Sequence, residues 1–104
     1  AHALGAVGVV ALAFPLHPPG RPERSRLSEL EAVALPTLVV QGERDAFGRP
    51  EEFPAHLEVA VVPGADHGFA VPRRGLLSAE DALVVVVEAV LEFVVRDLVG
   101  PGPR

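Results

Sequence analysis

Two residues able to share a proton stand in successive loop sequences of this chain. Asp45 lies in GERDAFG and His67 in PGADHGF. An imidazole held by a carboxylate is the base half of a nucleophilic arrangement. The carboxylate fixes the ring tautomer and stabilises the imidazolium that forms when a nucleophile gives up its proton. Each residue also has a plainer reading: Asp45 as the cap of a turn closed by Gly48, His67 as a half-buried loop histidine. His17, in PLHPPG, has no matching role and reads as a residue that shapes a pocket mouth or is simply exposed. Asp66 is next to His67 but, as a chain neighbour, reads as a turn residue. A metal site built from His17, Asp45, Asp66 and His67 is chemically conceivable. No HxxxH or HxH spacing supports it, and neither metal nor other cofactor is expected.

The elements that must position these residues are legible around them. Thr37 to Val40 is a short β-branched apolar run between Pro36 and Gln41-Gly42, which reads as a buried strand with Asp45 just past its C-terminal end. Val7 to Phe14 is apolar without alternation and reads as a central parallel strand ended by Pro15. Leu57 to Val62 is a third strand, stopped by Pro63-Gly64 ahead of His67. Leu27, Leu30 and Ala34 recur at helical spacing and predict a short crossover helix. Pro50 suits a first helical turn, with Glu51 and Glu52 at its positive end, and Pro54 keeps that helix short or irregular.

Ser78 and Asp81 form a capping-box pattern that opens a long closing helix. Its valine-rich run could be taken for a strand, but Asp81, Glu88, Glu92 and Arg96 fall on one helical stripe. The order strand, helix, strand, helix, strand, helix predicts three parallel strands with crossover helices, in a three-layer α/β/α arrangement. His17, Asp45 and His67 then share the rim beyond the strands' carboxyl ends, where open parallel sheets gather working residues.

Composition bounds the rest. The chain has 104 residues, room for one small domain, and 49% hydrophobic residues. With a mean hydropathy of +0.34, it has apolar faces that expect more protein. A net charge of −5 disfavours nucleic acid and anionic membrane as partners. Glu88 and Glu92 interrupt an apolar run already too short to span a bilayer. The chain has no cysteine, which excludes disulfides and thiolate chemistry. No leader sequence is visible, and a cytoplasmic location is expected. The opening AHALG reads as the last turn of a helix stopped by Gly5, so residues 1–104 are expected to be one partial domain.

Three stretches, FPLHPPGRPE, LPTLVVQGERDAFG and VVPGADHGF, resemble the C-terminal part of an α/β-hydrolase. They are most similar to the dienelactone-hydrolase-like and KANL/Tex-type group. The resemblance implies that Asp45 is the acid and His67 the base of a catalytic triad, in the family's chain order of nucleophile, acid, histidine. It implies a small-molecule acyl substrate, an ester or thioester, and a nucleophilic serine on a glycine-flanked elbow preceding Ala1. Ser25, Ser28 and Ser78 lack the strand-turn-helix context of such an elbow and read as cap or surface residues. The main alternative is a hydrolase-like scaffold or interaction domain without catalysis. A nucleotide-binding or receiver domain is a further alternative, but it needs a glycine-rich loop or an acidic cluster that the sequence lacks.

Overall fold

A computed structural model describes residues 7–99. The helical turn expected at Ala1–Gly5, the stop at Gly100-Pro101 and the tail after it lie outside the described residues. Three strands, β1 (Val9–Leu12), β2 (Thr37–Gly42) and β3 (Glu58–Val62), form one parallel sheet in the order β1-β2-β3. Val10 registers with Leu38, and Val40 with Ala60, so all three carboxyl ends reach the same rim.

Alternation along the strands divides the core in two. Leu38, Val40 and Val62 face helix α2 (Ala79–Phe93) and pack with Ala82, Val86 and Phe93. Val39 faces the other way, into a cluster with Leu16, Phe53 and Leu30 of helix α1 (Leu27–Glu31). Helix, sheet and helix are therefore the three layers expected. Between β2 and β3 only a single 3-10 turn forms, Pro50–Glu52, because Pro54 cannot donate the backbone bond that a longer helix would require.

The start of α2 is fixed by the expected capping box. The Ser78 hydroxyl accepts from the Asp81 N–H at 3.0 Å, and the Asp81 carboxylate accepts from the Ser78 N–H at 3.3 Å. Beyond Phe93 the helix widens into a π-type stretch, Val94–Val99. There Arg96 donates to Glu58 at the start of β3 and to Asp97, which ties the helix end to the sheet.

One expectation needs correcting. β1 is an edge strand among the described residues, and β2 is the central one. An apolar run without alternation reports burial of both faces but not whether both hydrogen-bonding edges are paired. The apolar side of α2 is wider than its packing contact: Leu83, Val84, Val87 and Leu91 are exposed, as is Val95 in the π-type stretch that follows. Together with Leu12 on β1, these are the apolar faces that the mean hydropathy foreshadows.

The contrast within α2 gives a direct check on the core. Replacing the enclosed ring in Phe93→Ala should cost about 3–5 kcal/mol, the usual range for emptying a buried aromatic site. Leu91→Ala, at a position 57% exposed on the same helix, should stay within about 0.5 kcal/mol. Urea midpoints at unchanged slope measure both, and equal losses would contradict the packing described.

Candidate active site

β2 delivers Asp45 through a tight turn. The Asp45 N–H donates to the Gly42 carbonyl at 3.2 Å, and the Gly48 N–H returns to the Asp45 carbonyl at 3.1 Å. The following loop is stitched to the end of β3. Glu43 N–H donates to Val62 O at 3.0 Å, and Arg44 N–H to Ala65 O at 2.9 Å. Side chains repeat the link, with Gly64 N–H on Glu43 Oε1 at 2.7 Å and Arg44 Nε on Gly64 O at 3.1 Å. The two loops that carry Asp45 and His67 are thus tied together by four hydrogen bonds.

The Asp45 carboxylate has no solvent exposure. Its Oδ1 accepts from the Phe47 N–H at 2.8 Å, and its Oδ2 from Gln41 Nε2 at 3.2 Å. Both oxygens face His67 Nδ1, at 3.0 and 2.9 Å. A carboxylate so engaged accepts, so the ring carries a proton on Nδ1 and presents Nε2 as its basic nitrogen. His67 is 38% exposed at its side chain, and its ring lies against Phe47 with centroids 4.2 Å apart. That contact leaves the ring little freedom to swing away from the carboxylate.

Asp66 is the turn residue that its position suggests. Its Oδ1 accepts from the N–H groups of Gly68 and Ala70, both at 2.9 Å, and its backbone N–H donates to Ala70 O at 2.9 Å. Within this turn Phe69 adopts a left-handed φ of 63°, costly for a side chain of its size. Phe69 also packs against the core beneath α2. His67 therefore projects from a short loop held at both sides of the histidine.

Gln41 and Gly42 mark only a strand end in the sequence, yet both shape the site. Gln41 is fully buried. Its Oε1 accepts from the Phe14 N–H at 3.0 Å, and its Nε2 donates to Phe14 O and Gly48 O, both at 2.9 Å, besides reaching Asp45. One amide thereby joins the end of β1 to both ends of the acid loop. A polar residue closing an apolar β-run is the only signal the sequence carries for this. Gly42 is required by a close approach: a Cβ there would lie 2.5 Å from the carbonyl oxygens of Ala65 and Asp66. The backbone that leads into His67 occupies the space a side chain would need.

His17 corrects the sequence reading, which left it exposed or at a pocket mouth. It is buried, with Nε2 2.7 Å from Glu52 Oε1 and Nδ1 2.7 Å from Pro18 O. It belongs to the scaffold of the rim and does not join Asp45 and His67 in a shared cluster. Ser78 caps α2 by accepting from the Asp81 N–H, and the Ser25 hydroxyl accepts from the Leu27 N–H in a local turn ahead of α1. Ser28 lies within α1. Among the described residues none of these serines hydrogen-bonds His67. A cavity of about 370 Å³ opens at the far rim of the sheet, lined by Leu30, Thr37, His56, Leu57, Glu58 and Phe93 among others. It meets the amino-terminal ends of β2 and β3 and so lies away from the Asp45–His67 pair.

Three substitutions probe this arrangement. Gly42→Ala should cost about 1–3 kcal/mol, as overpacking does, and should displace the His67 loop. Gly68→Ala, whose Cβ would meet Asp66 Oδ1 at an ordinary 3.7 Å, should leave the loop in place. Gln41→Leu strips partners from Phe14 N–H, Phe14 O and Gly48 O. At roughly 1 kcal/mol or more for each buried group left unpaired, it should lose at least about 3 kcal/mol. Urea unfolding reads stability, and the His67 ring signals in NMR spectra read the loop. A Gly42→Ala protein matching Gly68→Ala in both would contradict the close approach.

A family profile described as alpha/beta hydrolase domain matches residues 1–95. No curated protein and no solved structure matches the chain. The parallel sheet, the order of Asp45 and His67 along the chain, and a match spanning nearly all of it agree, and the chain belongs to the alpha/beta hydrolase domain family.

Proposed function

We propose that this chain supplies the acid and the base of a serine hydrolase that cleaves an ester- or thioester-type acyl bond. The observation that carries the reading is the enclosed Asp45 carboxylate held against His67 Nδ1, at 2.9 Å from Oδ2. In this reading His67 Nε2 takes the proton of a serine hydroxyl as its oxygen adds to the substrate carbonyl carbon. Asp45 stabilises the imidazolium so formed, and His67 then hands the proton to the departing alkoxide or thiolate. Water, activated by the same nitrogen, releases the acyl group in a second round.

In this reading the nucleophile is a residue outside the 104, since Ser78 caps α2, Ser25 is engaged in a turn with the Leu27 N–H and Ser28 is part of α1. The outer edge of β1 supports this reading. Val9–Leu12 carries neither proline nor charge, the usual devices that keep a free strand edge from pairing. A further parallel strand there would bring an elbow serine to the same rim as His67. The FPLHPPGRPE stretch resembles the dienelactone-hydrolase-like and KANL/Tex-type group, and that resemblance supports this reading.

The reading makes two demands on activity. The 104-residue chain alone should not hydrolyse an aryl ester, because loss of the nucleophile costs roughly 10⁶ in rate in a protease of the same logic. In a protein that includes the preceding strand and elbow, a fluorophosphonate probe should label one serine outside these residues. There His67→Gln should slow both labelling and ester hydrolysis by at least roughly 10³, and Asp45→Asn by about 10⁴. Undiminished hydrolysis in His67→Gln would remove the base from the mechanism. A well-folded longer protein with no labelled serine would instead favour the scaffold reading.

A further inference from the structure

Both nitrogens of the His17 ring point at oxygens that can only accept. Nδ1 lies 2.7 Å from the Pro18 carbonyl oxygen, and Nε2 lies 2.7 Å from Glu52 Oε1. A neutral imidazole has one N–H and would turn a lone pair toward one of those oxygens. The ring satisfies both only as the imidazolium, with Nδ1–H donating to Pro18 and Nε2–H to Glu52. At 7% exposure it has little water to fall back on, and a buried charge persists only where it is paired.

The groups joined by this ring flank the acid loop. The backbone N–H of His17, not its ring, donates to Phe47 O at 2.9 Å, two residues beyond Asp45. Leu16 sits against Gly48, where a Cβ would come within 2.7 Å of Leu16 Cβ and where φ is +149°. Glu52 in turn accepts from the Arg49 N–H at 2.7 Å through its other oxygen. The acid loop is thus gripped from the Pro15–Pro22 side by His17 and from the 3-10 turn by Glu52, and the His17–Glu52 bond closes the grip.

We propose that His17 is a positioning residue, an imidazolium clasp that holds the acid loop in register beneath His67 and loosens when its ring loses a proton. The proposal rests on the reading of Asp45 and His67 as a working acid-base pair. The charged groups that bear on the clasp are Glu52, the Asp45 carboxylate of the acid loop, and Arg49 beside Glu52.

The Pro18 carbonyl and then the Glu52 hydrogen bond raise the His17 pKa above its ordinary value, against the effect of burial. For Glu52, burial pushes upward, but the bonds from Arg49 N–H and His17 outweigh it and bring the carboxyl below its ordinary value. A raised imidazole contributes fully below its unfolded value, about 6.5, and loses its contribution as pH climbs through the higher folded value. A lowered carboxyl contributes above its unfolded value and loses that as pH falls through the folded one. The clasp is closed between these limits and opens on the alkaline side by loss of the His17 proton.

An NMR titration of the 104-residue chain tests this, following the His17 ring nitrogens and the Phe47 amide in the same samples. Both His17 nitrogens should carry protons below a midpoint that lies above the ordinary histidine value, and the Phe47 amide should shift with the same midpoint as the ring. Glu52→Gln should lower that midpoint and carry the Phe47 transition down with it, which a purely structural role would not do. A His17 midpoint at or below the ordinary histidine value would overturn the proposal. So would a Phe47 amide that ignores the His17 midpoint, and the unmodified chain alone suffices for both outcomes. The serine-labelling experiment decides the catalytic reading separately, so either can fail without the other.

Discussion

A carboxylate sealed from water is tolerated only when its oxygens are engaged, and Asp45 is the point on which this rim of the sheet converges. Its partners come from three directions: Gln41 from β2, the Phe47 N–H from its own loop, and His67 from the loop after β3. Removing any one leaves a buried acceptor short of a donor, at a cost of about 1–3 kcal/mol or more where charge is involved. The parallel register of β2 and β3 matters chiefly because it brings those donors to one place. A one-residue slip would reverse which face each side chain of β3 addresses and break the stitching between the loops.

Around that carboxylate the fold acts as a set of stops. Gly42 leaves room for the backbone that leads into His67, Asp66 curls that backbone into a fixed turn, and the Phe47 ring limits rotation of the imidazole. Gln41 anchors the end of β1 to the same loop, so all three strands contribute to the placement of one proton-sharing pair. Preorganisation of this kind would hold His67 ready for the role of base proposed for it.

The sequence made part of this visible. Thr37 to Val40 and Leu57 to Val62 announce buried strands through β-branched runs cut by Pro and Gly. Ser78 and Asp81 announce a helix start through a local bond that needs no tertiary context. Asp45 and His67 were readable because each follows such a run directly. Gln41 was not, because its partners Phe14 and Gly48 are a β-strand and a loop away, and nothing local distinguishes a buried amide from a strand-ending one. The burial of His17 escaped for the same reason, since Glu52 lies 35 residues on. The edge position of β1 and the uncovered apolar side of α2 escaped because hydrophobicity reports a preference for burial and leaves the covering partner unspecified. The high mean hydropathy signalled such faces without placing them.

The grip of Asp45 on His67 shows most directly in the state of one ring. A long-range nitrogen–proton correlation spectrum of His67, recorded where the imidazole is neutral, reads which nitrogen bears the proton. If Asp45 holds the ring as described, the proton is on Nδ1 and Nε2 is bare and basic. A neutral His67 with its proton on Nε2 would mean that the carboxylate does not command the ring, and the base assigned to this rim would not exist.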